Sequence, residues 1–317
     1  MIDRARHAAM AGASIARGLG TLLTPRAIVG MAIESAWITT HLATYPLGIF
    51  QARAEGLHGY RIEHLAPVQR GLLISHLEAA GTPILLVHGF IDNRSIFTLL
   101  RRGLTRRGFG SVYAMNYSSL TADIRTAAAQ LGEEIEAIVS DTGYEKIHIV
   151  GHSLGGLIAR YYVTRLGGDA HVHTLVTLGT PHKGTYSAYA LPSRLGEQMR
   201  PDSGLIRELD EPAPGCTTRF ICYWSDTDVV IVPQGNGALR HRDLSVRNIR
   251  LHGVGHLSLP IVGDVVHGIS TALAELDQEG GTVTAGVTPI ARRTRHDGGS
   301  EHGARDSGGR HTAQARP

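Results

Sequence analysis

The stretch Val150-Gly151-His152-Ser153-Leu154-Gly155-Gly156 decides how the rest of the chain is read. Ahead of it, Lys146-Ile147-His148-Ile149-Val150 is rich in β-branched residues and predicts a buried strand. Behind it, residues 154 to 166 place Leu157, Ile158, Tyr161, Tyr162 and Arg165 at helical spacing. Ser153 therefore occupies a strand-to-helix turn of the Gly-x-Ser-x-Gly type. Such a turn strains the backbone so that the hydroxyl stands clear of the sheet, and small neighbours such as Gly151 and Gly155 tolerate it. With 39 glycines in 317 residues the bare pattern is weak, so the flanking strand and helix carry the inference. Ser153 is the candidate nucleophile. The start of the helix offers unpaired N–H groups and a positive dipole end to a developing negative charge, which makes the N–H of Leu154 the first candidate oxyanion donor.

A nucleophilic serine needs a base, and the base needs an orienting acid. For this elbow they follow in the order acid, then histidine. The best histidine site is Leu251-His252-Gly253-Val254-Gly255-His256-Leu257, a glycine loop after a predicted strand over 244–251. His256 is the candidate base, with His252, nearer the strand end, as second choice. The acid is sought in Ser225-Asp226-Thr227-Asp228-Val229, a short loop after a predicted strand over 219–224. Asp228 is favoured because it directly precedes the Val-Val-Ile-Val run; Asp226 is the alternative, and the losing aspartate reads as a turn residue bonded to its own backbone.

A second oxyanion donor should come from the loop after an earlier strand. Pro83-Ile84-Leu85-Leu86-Val87-His88-Gly89-Phe90 fits, with Gly89 allowing close backbone approach and Phe90 giving the N–H. Asp92, Asn93 and Arg94 read more simply as a cap for a helix over 95–107. His88 and His152 read as hydrogen-bonding supports of the loop and the elbow rather than as proton carriers.

Taken together, VHGF at 87–90, VGHSLGG at 150–156, TLGTPHKG at 177–184, the aspartate loop at 225–233 and HGVGH at 252–256 resemble the α/β-hydrolase superfamily, and within it the bacterial lipases and esterases. The resemblance covers roughly residues 80 to 278. It implies a mostly parallel central sheet flanked by helices, a carboxylic-ester hydrolase activity, an oxyanion donor at Phe90, and an acyl site bordered by Thr180-Pro181-His182.

The wider chain agrees with an α/β class. Strands are expected near 60–66, 83–88, 110–116, 146–151, 172–179, 218–224 and 244–251, and helices near 95–107, 121–140, 154–167 and 258–278. This alternation needs one catalytic domain, 59–280, between an N-terminal segment, 1–58, and a tail, 281–317. Thr185 to Cys216 interrupts it with Tyr186, Tyr189, Leu191, Leu195, Met199, Leu205, Ile206 and Leu209. A lid or cap of short helices over the acyl pocket is the expectation, and a fixed insertion that extends the core is the plainer reading.

Residues 27–50 are apolar but interrupted by Glu34, His41 and Pro46, which argues against a simple membrane span and against a cleavable signal. A cytoplasmic or membrane-associated protein follows, with surface contact through this segment or the lid left open beside the reading of a helix packed on the domain. The tail carries six arginines against Asp297, Glu301 and Asp306, a surplus of +3 that equals the charge of the whole chain. The remainder is balanced, so no nucleic-acid surface is expected, and the tail's composition predicts disorder. Cys216 and Cys222 leave a disulfide open. No spacing suggests a metal, and no cofactor is expected. The expected partner is a small-molecule or lipid ester, with oligomeric state undetermined. Transfer of the acyl group to an alcohol, or a non-catalytic binding role on the same scaffold, are the alternative functions.

Overall fold

The structure, a computed structural model, describes residues 77–90, 94–117 and 123–276. The expected N-terminal segment, the strand near 60–66, the apolar run 27–50 and the C-terminal tail lie outside the described residues, as do Asp92 and Asn93. Among the described residues six strands form one sheet in the order β2-β1-β3-β4-β5-β6, every neighbouring pair parallel. They are β1 (Ile84–Val87), β2 (Val112–Met115), β3 (Ile147–His152), β4 (Val172–Leu178), β5 (Arg219–Ser225) and β6 (Ser245–Leu251). Each falls within one or two residues of an expected strand.

Parallel neighbours require crossover helices, and covering both faces buries the central strands completely. Every residue of β1, β3 and β4 is buried. Alternate side chains feed two cores. Leu85, Val87, Ile147, Ile149 and Leu175 point to one side, beneath α3 (Ile124–Thr142) and α4 (Leu154–Arg165). Ile84, Leu86, Val150, Val176 and Leu178 point to the other, beneath α2 (Thr98–Arg106) and α7 (Gly263–Ala274). A short α1 (Leu77–Gly81) leads into β1.

Two helix starts differ in kind. Asp123 caps α3, its side chain accepting from Thr126 N. The helix expected from Ser95 begins as a 3₁₀ turn over Arg94–Phe97 and becomes α-helical only at Thr98, with no side-chain cap. Asp92 and Asn93, two of the three residues read as its cap, lie outside the described residues.

The insertion between β4 and β5 is folded. A 3₁₀ turn (Tyr186–Ala190) leads to α5 (Arg194–Gln198) and α6 (Gly204–Leu209). Leu195, Met199, Leu205, Ile206 and Leu209 are buried in the same core as α3 and α4. Among the described residues no helix is long and apolar enough to cross a membrane.

Candidate active site

Ser153 joins β3 to α4 with φ 52° and ψ −119°, and it is the only non-glycine residue with positive φ among the described residues. That strain persists because its surroundings over-determine it. Its N–H donates to Leu178 O at 2.8 Å, and its carbonyl accepts from Thr180 Oγ1 at 2.9 Å. The glycines explain the tightness. A Cβ on Gly151 would stand 2.6 Å from Gly156 Cα, and one on Gly155 would stand 2.1 Å from Val87 O. Gly155 therefore brings the start of α4, with Leu154 as its first residue, directly against the end of β1 and the loop that carries Phe90.

That loop is itself held. His88 stacks on Tyr117 with ring centroids 4.3 Å apart, and Tyr117 Oη donates to His88 O at 2.8 Å. His88 Nδ1 meets a carbonyl, Gly89 O, at 3.0 Å, so it must carry the proton, while Nε2 accepts from Tyr117 N at 3.4 Å. Phe90, half-buried, packs against the core beneath α3 and α4.

The acid and base sit at the C-terminal ends of β5 and β6. Asp228 Oδ2 lies 2.7 Å from His256 Nδ1, with Asp228 1 % and His256 3 % exposed. The other oxygen, Oδ1, accepts from Val230 N at 2.8 Å and Ile231 N at 2.9 Å, so the carboxylate is fixed in an Asx-type turn. Because a carboxylate accepts, His256 Nδ1 holds the proton and Nε2 is the basic nitrogen. The His256 ring rests on Gly179, where a Cβ would stand 3.0 Å from Nδ1. Gly179 directly follows Leu178, to which Ser153 is bonded. The end of β4 thus brings the elbow and the histidine together.

Asp226 and His252, the second choices, form their own pair. Asp226 Oδ2 lies 2.5 Å from His252 Nδ1 and 3.1 Å from an Arg250 guanidinium nitrogen, and the His252 side chain is 60 % exposed. Asp226, itself mostly buried, is an ion-pair partner of exposed side chains rather than a turn bonded to its own backbone. Cys216 and Cys222 are both free thiols; burial is the main cause that pushes each up to about 11. Among the described residues no group of acidic, histidine or cysteine side chains could hold a metal.

Two supports were not legible beforehand. Arg160, on α4, is completely buried and donates to His182 O at 3.0 Å and Leu209 O at 2.8 Å, with Asp210 Oδ1 at 3.2 Å. It ties the helix after the nucleophile both to the Thr180–His182 turn and to the insertion. His182 Nε2 meets Thr177 Oγ1 at 2.9 Å, and burial holds its pKa well below the ordinary value. The sequence offered only the apolar neighbours of Arg160, Leu157, Ile158, Tyr161 and Tyr162, on a predicted helix that proves to be buried from Leu154 to Val163.

Residues 83–213 match a family model described as palmitoyl protein thioesterase. A triacylglycerol lipase of Vibrio cholerae is 32 % identical over 108 residues, 32 % of this chain and 33 % of that protein. A triacylglycerol lipase of Burkholderia plantarii is 29 % identical over 111 residues, again 32 % of this chain and 30 % of that one. The chain thus aligns with about a third of the length of these curated relatives. In structure it is similar to the mature form of a Bacillus licheniformis lipase, with TM-score 0.53, 16 % identity, and coverage of 69 % of this chain and 97 % of that chain. Lipase B of Aspergillus fumigatus gives TM-score 0.52 at 16 % identity over 73 % of this chain and 64 % of the other. With its parallel sheet, six-stranded among the described residues, and its strained serine elbow, the chain has the α/β-hydrolase fold.

Proposed function

We propose that the chain is a serine-dependent carboxylic-ester hydrolase acting on lipid-like or other apolar acyl esters. The observation that carries this reading is the buried 2.7 Å contact between Asp228 and His256 beside a serine held at φ 52°. In the proposed reaction Ser153 Oγ attacks the acyl carbon and passes its proton to His256 Nε2. Asp228 keeps the proton on Nδ1 and stabilises the imidazolium that forms. The N–H groups of Leu154 and Phe90 receive the oxyanion. Collapse of the intermediate breaks the C–O bond, and His256 returns the proton to the leaving alcohol. Water, deprotonated by the same histidine, then releases the acid from Ser153.

The family model that matches residues 83–213 favours one second reading, in which the scissile bond is an acyl thioester. The same machinery serves, because the oxyanion forms on the same carbonyl oxygen and a thiolate leaves without needing full protonation. Hydrolysis of p-nitrophenyl esters of graded chain length beside acyl thioesters of the same acids separates the two. Turnover of oxoesters abolished by Ser153→Ala supports the first reading, whereas turnover confined to thioesters supports the second. Appearance of the acyl group on an added alcohol in preference to water would indicate a transferase. Absence of turnover on every ester would leave a binding role.

A further inference from the structure

His152, the residue immediately before the nucleophile, is a buried imidazole with no part in the reaction just described. It is the last residue of β3, paired in register with Leu178 at the end of β4. Its Nε2 lies 3.1 Å from the backbone carbonyl of His256, a contact across 104 positions of sequence. A carbonyl can only accept, so Nε2 of His152 is the donor. The two rings lie 4.9 Å apart, tilted by 45°.

The loop that carries His256 has reason to need such a tether. Gly253, with φ +70°, and Gly255 flank Val254, and glycine gives a chain segment its widest conformational freedom. The Asp228 contact fixes a ring nitrogen of His256, but it does not fix the backbone from which the ring projects. Thr227 Oγ1 donates to Val254 O at 3.1 Å and steadies the loop two residues earlier. His152 Nε2 holds the backbone of the base itself. Because His152 is covalently next to Ser153, the elbow and the histidine loop become one rigid unit, and the proton's donor and acceptor cannot drift apart independently.

We propose that His152 is a positioning residue that acts through His256, its Nε2–H fixing the carbonyl of the base relative to the nucleophile. The proposal rests on the reading of Ser153 and His256 as nucleophile and base. It predicts an effect on kcat rather than on KM, because the contact orients the reacting groups and touches no substrate.

Three replacements of His152 separate the donor from the bulk of the ring. Glutamine places its amide nitrogen where Nε2 stands; asparagine places one only where Nδ1 stands; phenylalanine keeps a ring and has no donor. On the p-nitrophenyl ester that the wild type turns over best, H152Q should keep kcat within about tenfold, while H152N and H152F should lose about a hundredfold with KM changed less than about threefold. Thermal melting of all three identifies those that are folded, and the comparison is made among these. Equal kcat in folded H152Q and H152F, or losses that appear in KM, would overturn the proposal. So would a uniform loss that follows melting temperature instead of the donor. If the wild type shows no ester turnover that Ser153→Ala removes, the functional reading itself fails, and that outcome is distinct because it appears before any replacement at 152 is made.

Discussion

The Oδ1 of Asp228 accepts two backbone N–H groups, from Val230 and Ile231, while its Oδ2 faces Nδ1 of His256 at 2.7 Å. One carboxylate thus has both oxygens committed, one to its own loop and one to the base. Asp226, two residues away, spends its Oδ2 on Arg250 and an exposed His252. Asp228→Asn should leave the fold intact and lower turnover by up to about 10⁴, because the amide no longer selects the tautomer with a basic Nε2. Asp226→Asn should cost less than about tenfold, since its partners Arg250 and His252 are more than half exposed and touch neither Ser153 nor His256 in the proposed reaction. Ester kinetics on the two folded variants check this, and the reverse ranking would move the acid's role to Asp226.

Ser153→Ala and His256→Ala should each reduce turnover by about 10⁴ or more, and the double variant should be hardly worse than either single, because nucleophile and base act as a unit. Steady-state rates on a short p-nitrophenyl ester measure it. A folded Ser153→Ala protein with a tenth of the wild-type rate would remove Ser153 from the reaction.

The elbow's glycines invite a steric test. A Cβ at position 155 would stand 2.1 Å from Val87 O and 2.5 Å from His88 O, both backbone atoms that a rotamer change cannot move aside. Gly155→Ala should therefore destabilise the protein by about 3 kcal/mol or more and displace the loop that bears Phe90. Gly204→Ala is the control, since nothing lies within 4 Å of its Cβ position. Chemical denaturation of both variants measures the difference, and equal stabilities would show that the turn is looser than these distances require.

Much of this site was legible in the sequence because a parallel sheet and its elbow leave local marks. A β-branched run announced β3, and the glycine pattern placed Ser153 between strand and helix. The choice between Asp226 and Asp228 rested only on the apolar run that follows. The physical difference, near-complete burial of Asp228 with its histidine against a partly buried Asp226 whose partners Arg250 and His252 are exposed, is set by β5 and β6 lying side by side, which no local pattern encodes. Arg160 was illegible for a related reason. Its partners Leu209 and Asp210 are brought to it by the fold of the insertion, and a buried guanidinium that bonds distant carbonyls has no signature of spacing.

Acid should weaken the fold through histidines buried in the neutral form. Burial holds the pKa of His148, on β3, well below the ordinary value of 6.5, with His173 and Arg219 beside it adding to the effect. Burial and then Arg160 do the same to His182. In the unfolded chain these imidazoles titrate near the ordinary value, so below about pH 6.5 the unfolded state binds more protons. The stability they contribute is complete above that pH and is lost progressively as the pH falls toward the depressed folded-state values. Each proton steepens the decline by at most about 1.4 kcal/mol per pH unit. His148→Leu should flatten the slope of unfolding free energy between pH 6.5 and 5, whatever it does to stability at neutral pH. Denaturant titrations across that range test it, and an unchanged slope would mean that His148 does not remain neutral there.

The insertion over 185–216 is expected to act as a fixed cap rather than a mobile lid. A lid that opens on a lipid surface must turn an apolar face outward. Here Leu195, Met199, Leu205, Ile206 and Leu209 are shared with the core beneath α3 and α4. Exposing five such side chains would cost about 7–15 kcal/mol, as much as the whole stability of a typical domain. Polar contacts add to the constraint. Gln198 Oε1 accepts from Ile124 N at 2.9 Å at the start of α3, and Arg160 grips Leu209 O from α4. Hydrolysis of a medium-chain triglyceride measured across its solubility limit should therefore rise smoothly and saturate, with no jump where aggregates appear. Arg160→Leu should lower stability and activity in parallel, because it releases the cap and the Thr180–His182 turn together. An abrupt rise in rate at the solubility limit would show that part of the segment opens at an interface; Tyr189 and Leu191, which lie outside the five buried side chains, would then be the first residues to replace.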